Sequence, residues 1–162
     1  MFRATRAILR SSRVLRAEAA AAPEIKTTPG KVLFRFRSPD EGIVDQEIDS
    51  AVVPGAAGDF GVSDQLAPTL SQLRAGVVQV QVDASSPLQK WFVTGGFAVM
   101  QEDNVCAVTV SEAIPVEEID QSLVGSQLSS QEGLVASAPT PEAKAEAEIG
   151  VEILTAMKNA AA

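Results

Sequence analysis

A glycine-rich segment, VVPGAAGDFGV at residues 52–62, is the part of the chain whose residue types first suggest chemistry. Such loops can wrap phosphate groups with backbone amides, usually at a helix N-terminus and with a following Lys or Arg. Here Asp59 would repel phosphate, and no Lys or Arg occurs between Arg37 and Arg74. Two alternatives to a phosphate site remain: a plain hairpin whose three glycines supply positive φ angles, or a surface that another protein contacts.

The rest of the composition argues against an enzyme. The chain has no histidine and one cysteine, Cys106, which excludes Ser-His-Asp and Cys-His nucleophile systems and multi-cysteine metal sites. Its 21 acidic residues are scattered, as is typical of a solvated surface. A lone cysteine forms no internal disulfide and fits a compartment without oxidative folding. We expect no active site, no metal and no cofactor.

The N-terminal 17 residues differ in charge from the rest of the chain. They contain five arginines at helical spacing and no acid, and without them the formal net charge changes from −8 to −13. An Arg-rich, acid-free amphipathic segment is typical of a mitochondrial presequence, the alternative being a basic arm for nucleic acid. We expect residues 18–30 to be a flexible linker. No segment approaches the roughly 18 apolar residues of a membrane-spanning helix.

Short alternating segments separated by turn residues occupy residues 31–114 and predict β-strands. The clearest are KVLFRFR, VVQVQVD and NVCAVTV. The residues expected on the core face are Val32, Phe34, Phe36, Val78, Val80, Val82, Cys106, Val108 and Val110. About eight to ten such strands suit a two-layer antiparallel sandwich around one core.

After Pro115 the apolar period becomes helical, so residues 115–162 predict a helical hairpin. The first apolar stripe is Val116, Ile119, Leu123 and Leu128, with acids Glu117, Glu118 and Asp120 in the first turn. We expect this helix to break in EGLVASAPTP, residues 132–141, and a second helix to begin with Thr140 as N-cap and Pro141 next. Its apolar stripe is Ile149, Ile153, Ala156 and Met157. Both stripes are narrow, so the hairpin should lean on another surface.

Three segments together resemble a known family. VVPGAAGDFGV, LAPTLSQLRAGVV and KWFVTGGFAVMQEDNVCAVTVSEAIPVEEID are similar to the small central-stalk subunit of rotary ATP synthase, called delta in mitochondria and epsilon in bacteria and chloroplasts. The resemblance runs from about residue 31 to residue 131 and is strongest over residues 52–114. It implies a ten-stranded β-sandwich followed by a C-terminal α-helical hairpin.

The resemblance also implies a non-catalytic role. With the gamma subunit and the small mitochondrial epsilon chain, such a subunit forms the foot of the rotating shaft and docks it onto the membrane c-ring. The implied location is the matrix side of the mitochondrial inner membrane, peripheral and not inserted. No nucleic-acid partner is expected of so acidic a chain.

In this family the glycine-rich loop lies at the end of the sandwich that faces the c-ring. The implied docking residues are Gly58, Asp59, Phe60 and Gly61, with Leu66 and Pro68 as further contacts. Because successive residues of an extended segment point to opposite faces, we expect Asp59 to point outward and Phe60 into the sandwich.

The sequence departs from the family pattern at three places. Leu66-Ala67-Pro68 replaces His-x-Pro, and Leu73-Arg74-Ala75-Gly76 replaces Leu-basic-Pro-Gly; we interpret both as turn or packing positions. Some bacterial members bind ATP through Ile/Leu-Asp-x-x-Arg-Ala, where this chain has Ile119, Asp120 and, instead of the arginine, Leu123. We expect no ATP sensing. The alternative function is a free-standing β-sandwich binding module with a ligand-sensing helical tail.

Overall fold

The structure is a computed structural model that describes residues 27–161. The expected presequence at residues 1–17 and most of the expected linker lie outside the described residues. The end of that linker, residues 27–30, is attached to the body of the protein rather than free. The Thr28 amide and hydroxyl donate to the Glu47 carboxylate at 2.9 and 2.7 Å, and the Gly30 amide donates to Asp64 at 3.1 Å. Residues 28 and 30 are therefore hydrogen-bonded to the sandwich domain, and the linker expected at residues 18–30 stays a prediction.

Ten strands precede two helices, as the sequence predicted. The strands are β1 (Val32–Arg37), β2 (Gly42–Ile48), β3 (Ser50–Gly55), β4 (Gly58–Val62), β5 (Thr69–Leu73), β6 (Gly76–Gln81), β7 (Gln89–Val93), β8 (Gly96–Met100), β9 (Val105–Val110) and β10 (Ala113–Pro115). A single 3₁₀ turn at Val116–Glu118 leads to helices α1 (Gln121–Ser137) and α2 (Pro141–Ala160).

The strands form one continuous sheet in the order β10-β7-β6-β3-β5-β8-β9-β1-β2, with β4 attached to β3. The pairs are antiparallel except β1 with β9, which run parallel from Leu33 opposite Val105 to Arg37 opposite Thr109. The sheet folds over itself, since the rings of Phe36 on β1 and Trp91 on β7 meet edge-on with centroids 5.8 Å apart although their strands are far apart in the order. The result is a two-layer sandwich.

The core lies between the two layers and follows the alternation in the sequence. Phe34, Phe36, Val78 and Val80 are fully buried, and so are the alternate residues of β9. Val82 is the exception among the expected core residues, because it lies beyond the end of β6 and is half-buried. Burying a Val or Phe side chain contributes roughly 1.5–3 kcal/mol. The sandwich core therefore provides most of the stability of the described chain.

The turn between β7 and β8 requires glycine. A Cβ atom on Gly96 would lie 2.1 Å from the backbone oxygen of Thr109 on the neighbouring strand β9. No real Cβ contact is this short, and the obstacle is backbone that cannot rotate away. The close approach of β8 to β9 at this end of the sandwich therefore depends on the missing side chain.

The first helix differs from the prediction at its start. Glu117 and Glu118 belong to the 3₁₀ turn, Ile119 is extended, and α1 begins only after Asp120, which is its N-cap. At the other end, α1 ends at Ser137, inside the segment 132–141 where the break is expected. A glycine inside a helix costs only about 1 kcal/mol, so Gly133 does not end α1. The helix ends at Ser137, two residues before Pro139, because a proline disfavours helical backbone at the residue that precedes it.

The two helices pack as an antiparallel hairpin, with the Gln121 side chain at the start of α1 donating to the carbonyl of Ala161 after α2. Their buried residues are Val124 and Ala147. The expected stripes were therefore partly wrong, since Leu123 and Ile149 are 59% and 58% exposed.

The hairpin leans on the sandwich, as its narrow apolar stripes indicated. The last turns of α2 contact β6, and the 3₁₀ turn contacts β7. Within residues 27–161, neither helix combines the length and the apolar character needed to cross a bilayer.

Candidate functional site

The glycine-rich segment forms a β-hairpin on the sandwich. Strands β3 and β4 pair from Ala51 opposite Val62 to Gly55 opposite Gly58, which leaves Ala56 and Ala57 as the turn. The segment is flanked by strands, so its amides do not lie at a helix N-terminus as in a phosphate-binding loop. The geometry is that of a projecting turn, which we call the β3–β4 loop (residues 55–61).

The glycines of the β3–β4 loop have different roles. Gly58 alone has a positive φ, +133°, so the expectation that all three supply positive φ is wrong for Gly55 and Gly61. A Cβ on Gly55 would lie 2.7 Å from the Gly58 oxygen and 3.1 Å from the Phe60 ring, so this position is held by close packing. Gly61 has open space around it. Gly61 belongs to the site through its exposure and its place beside Phe60 in the wall of the neighbouring groove.

Asp59 and Phe60 point to opposite faces, which confirms the expectation from strand periodicity. The Phe60 ring is half-buried and packs against the sandwich core. The Asp59 side chain is 58% exposed. The loop therefore presents a carboxylate outward while an aromatic ring on the other face holds it to the core.

Sequence reasoning missed the partner of that carboxylate. The Arg74 guanidinium donates to Asp59 Oδ1 at 2.9 Å, and its Nε donates to the Gly55 carbonyl at 3.3 Å. Arg74 was interpreted as a turn or packing position. The available signal was that no basic residue lies between Arg37 and Arg74, so Arg74 is the basic residue nearest in sequence to Asp59.

The loop borders an open groove with a volume of about 380 Å³. Its lining residues are Ala57, Gly58, Asp59, Phe60, Gly61, Leu66, Thr69 and Ser71. The structure thus brings Leu66 to the four loop residues that the sequence singled out. Leu66 is half-buried and packs against the core, whereas Pro68 is exposed and does not line the groove. The wall is formed by backbone, small side chains and one aromatic ring, a surface suited to contact with another chain.

The residues at the former ATP-motif position have a structural role. The Asp120 carboxylate accepts hydrogen bonds from the Ser122 hydroxyl at 2.7 Å and from the amides of Ser122 and Leu123 at 2.8 and 3.3 Å. The bonds from Ser122 are the main reason that the pKa of Asp120 is lowered. Ile119 is half-buried and Leu123 is exposed. Asp120 is therefore used in capping α1.

The described part of the chain offers neither a metal-binding cluster nor a reactive thiol. Residues 27–161 contain no group of three or more acidic, His or Cys side chains arranged to hold a metal ion. The Cys106 thiol is buried in the core, and burial raises its pKa to about 12. A thiol of that pKa remains protonated and unreactive near neutral pH.

Comparison with known proteins identifies the family. The family model described as "ATP synthase, Delta/Epsilon chain, beta-sandwich domain" matches residues 31–116, more than half of the chain. The chain belongs to the ATP synthase delta/epsilon chain family. This membership confirms the resemblance seen in the glycine-rich segment and the two segments that follow it.

Relatives of the delta/epsilon chain family align along most of the sequence. The mitochondrial ATP synthase delta subunit of Caenorhabditis elegans is 36% identical over 148 residues, covering 90% of this chain and 89% of the relative. The Saccharomyces cerevisiae delta subunit is 36% identical over 139 residues, covering 85% and 81%. The Dictyostelium discoideum F(1) complex subunit delta is 33% identical over 132 residues, covering 81% and 77%.

Two solved structures share the fold of this delta/epsilon chain. A chain of the Euglena gracilis mitochondrial ATP synthase (OSCP/F1/c-ring) has a TM-score of 0.74 at 24% identity, covering 83% of each chain. A chain of the Tetrahymena thermophila central stalk/c-ring assembly has a TM-score of 0.59 at 14% identity, covering 84% of this chain and 100% of that chain. At these identities the likeness concerns the fold alone. The aligned 83% and 84% of this chain extend beyond the sandwich into the helical hairpin.

Proposed function

We propose that this protein is a non-catalytic central-stalk subunit of the mitochondrial proton-translocating ATP synthase. In this role it joins the gamma shaft to the membrane c-ring, so that proton-driven rotation is coupled to ATP synthesis. The observation that carries the proposal is similarity to a mitochondrial delta subunit over 90% of the chain. The alternative of a free-standing binding module is disfavoured because that similarity includes the helical hairpin as well as the sandwich.

The contact with the c-ring is assigned to the β3–β4 loop. The loop projects from one end of the sandwich, it is stiffened by Phe60, and it carries the exposed carboxylate of Asp59. Gly58 and Gly61 add no side chains, so the partner can approach the backbone closely. The neighbouring groove extends this contact to Leu66. Pro68 lies outside the groove and has the weaker case.

The gamma and mitochondrial epsilon chains need other surfaces. Leu70 on β5 and Phe97 on β8 are 70% and 54% exposed. The register places Leu70 opposite Val99 and Phe97 opposite Gln72, so these residues share the outer face of the sheet. Exposed apolar groups gathered on one face mark protein contacts. We assign this face to a partner in the stalk.

ATP sensing by the hairpin has no support in the geometry. The position of the expected arginine is taken by the exposed Leu123, and the carboxylate beside it is occupied by capping bonds. Titration of the purified protein with Mg-ATP should detect no binding below millimolar concentration. A micromolar dissociation constant would favour the ligand-sensing alternative.

Location in the mitochondrial matrix, on the inner membrane, follows from the same proposal. The arginine stripe ends at Arg16 and the acidic chain begins at Glu18, so the mature protein should begin between residues 17 and 24. Mass spectrometry of the N-terminal peptide in the assembled complex tests this. An intact Met1 in that complex contradicts import by a cleaved presequence.

The decisive experiment is affinity purification of the tagged full chain from detergent-solubilised inner membrane. We expect gamma and the c-ring to co-purify with it. Asp59→Lys should retain gamma and lose c-ring. The matched control is Asp103→Lys, the same charge change in the exposed turn after β8, which the register places at the opposite end of the sandwich from Gly55. A tagged chain that migrates alone as a small species refutes the proposed function.

A further inference from the structure

We propose that Arg74 is a positioning residue of the docking surface, which clips the β3–β4 loop into one conformation and holds the carboxylate of Asp59. The inference rests on the proposed function and adds a residue outside the loop to it. In this arrangement the loop meets its partner as a rigid hairpin with a paired charge. A mobile turn with a free carboxylate would be a different surface.

The clip contacts both strands of the hairpin. The Arg74 side chain bonds the Gly55 carbonyl on β3 and the Asp59 carboxylate on β4, at 3.3 and 2.9 Å. A single planar guanidinium therefore spans the two-alanine turn. Only arginine offers several donors in a fixed fork, whereas lysine offers one compact charge. The arrangement of hydrogen-bond donors, and not only the positive charge, therefore makes arginine better suited than lysine to this position.

The backbone brings Arg74 to the loop before its side chain acts. The Arg74 amide donates to the Pro54 carbonyl at 3.0 Å, and the Ala56 amide donates to the Gln72 carbonyl at 2.8 Å. Behind these bonds, a Cβ on Gly76 would lie 2.7 Å from Pro54 Cβ, so the β5–β6 turn is packed tightly on β3. These backbone hydrogen bonds and the packing of Gly76 on Pro54 therefore position the Arg74 guanidinium beside the hairpin.

The ion pair also lies between the loop and the helical hairpin. Asp59 lines the docking groove and, on its other side, a cavity of about 250 Å³ that Arg74 shares with Ala156 and Asn159 near the end of α2. Losing the guanidinium would remove both side-chain bonds to the loop, to Gly55 and to Asp59, and leave an unpaired carboxylate facing both spaces. Arg74 therefore determines both the position and the effective charge of Asp59.

The first test measures the clip in the free protein by hydrogen–deuterium exchange of amides 56–60. Arg74→Gln should speed exchange there by roughly tenfold because the turn opens locally. Arg74→Lys should restore part of the protection. The matched control is Arg37→Gln, which removes an exposed arginine whose ion pair with Asp45 measures 3.0 Å, close to the 2.9 Å of the Arg74 pair. Equal exchange in Arg74→Gln and Arg37→Gln overturns the clip.

The second test measures c-ring retention in purified complex for Arg74→Gln, Asp59→Asn and the double variant. Because Arg74 acts through Asp59, the two losses of c-ring should not add. The double variant should retain as much c-ring as whichever single variant retains less. Additive losses would mean that Arg74 contacts the ring independently, which overturns a positioning role. Failure of the wild-type chain to retain the ring would refute the proposed function instead, while the exchange experiment still tests the clip.

Discussion

Replacing Phe60 by Ala tests how the docking loop is held to the sandwich. Three phenylalanines of this chain differ in burial: Phe34 is fully buried, Phe60 is half-buried, and Phe97 is 54% exposed. Phe→Ala in a core costs about 3–5 kcal/mol, and a surface substitution about 0.5 kcal/mol or less. Scaling by burial, Phe60→Ala should cost about 2 kcal/mol.

The assay is thermal and urea unfolding of the purified variants. In a chain of this size each 1 kcal/mol lowers Tm by roughly 2–4 °C, so a loss of about 2 kcal/mol in Phe60→Ala should lower it by roughly 4–8 °C. Phe34→Ala should lower it further and Phe97→Ala scarcely at all. At temperatures well below its Tm, Phe60→Ala should retain the c-ring nearly as well as wild type. The reason is that the Phe60 side chain supports the loop from the side of the core and does not face the partner.

Two results would refute this reasoning. Unfolding of Phe60→Ala indistinguishable from that of Phe97→Ala would mean that the Phe60 ring does not anchor the loop. Loss of c-ring retention at a temperature where Phe60→Ala is fully folded would mean that Phe60 itself contacts the partner. Either outcome would contradict the roles given to the two residues, in which Phe60 anchors the loop to the core and Asp59 faces the partner.

Three further predictions concern the core, the first helix and one turn. Burial raises the pKa of Cys106 from its ordinary value of 9.0 to about 12, so an unfolded chain ionises first and stability should fall as pH rises above about 9, a fall that Cys106→Ala should lack. Asp120→Ala should speed amide exchange in the first turn of α1, whereas Asp120→Asn should largely preserve the cap. Hydrogen bonds from Ser122 lower the pKa of Asp120 below its ordinary value of 3.8. The wild-type cap should therefore be lost only as pH falls through that lowered pKa. Gly96→Ala should prevent folding or sharply lower Tm, whereas Gly61→Ala, in open space, should not.

Each of these has a contradicting outcome. Equal alkaline destabilisation in wild type and Cys106→Ala would show that other groups dominate that titration. Exchange in α1 that is unchanged by Asp120→Ala would mean that the cap does not hold the helix start. A soluble Gly96→Ala variant with wild-type Tm would show that β8 and β9 can separate there.

Alternation along the chain was enough to predict much of the sandwich. A strand turns successive side chains to opposite faces, so β1, β6 and β9 could be assigned a buried face before any partner strand was known. The same rule placed Cys106 in the core, and put Asp59 outside and Phe60 inside. Which face of a strand is buried depends on the order of apolar and polar residues within that strand, so the sequence of the strand is enough to predict it.

The helical hairpin was harder to predict. Its apolar residues are few and mixed with alanine, so the pattern did not distinguish Val124 from Leu123 as the buried residue of α1. Packing between the two helices settled the rotation of α1, because Val124 is buried there while the neighbouring Leu123 is 59% exposed. The end of α1 was likewise decided by Pro139, after a glycine that the helix tolerated.

The sequence by itself thus determined the family and the strand-then-helix order, because each follows from residues adjacent in the chain, and it singled out the loop that we propose as the docking surface. Only the tertiary structure decided that β1 pairs parallel with β9, and that Arg74 reaches Asp59 fifteen residues earlier in the sequence. A period specifies which face of a strand is buried but not which distant strand lies beside it. Long-range neighbours are chosen by packing of the whole sheet, and the ion pair at the loop is a consequence of that packing.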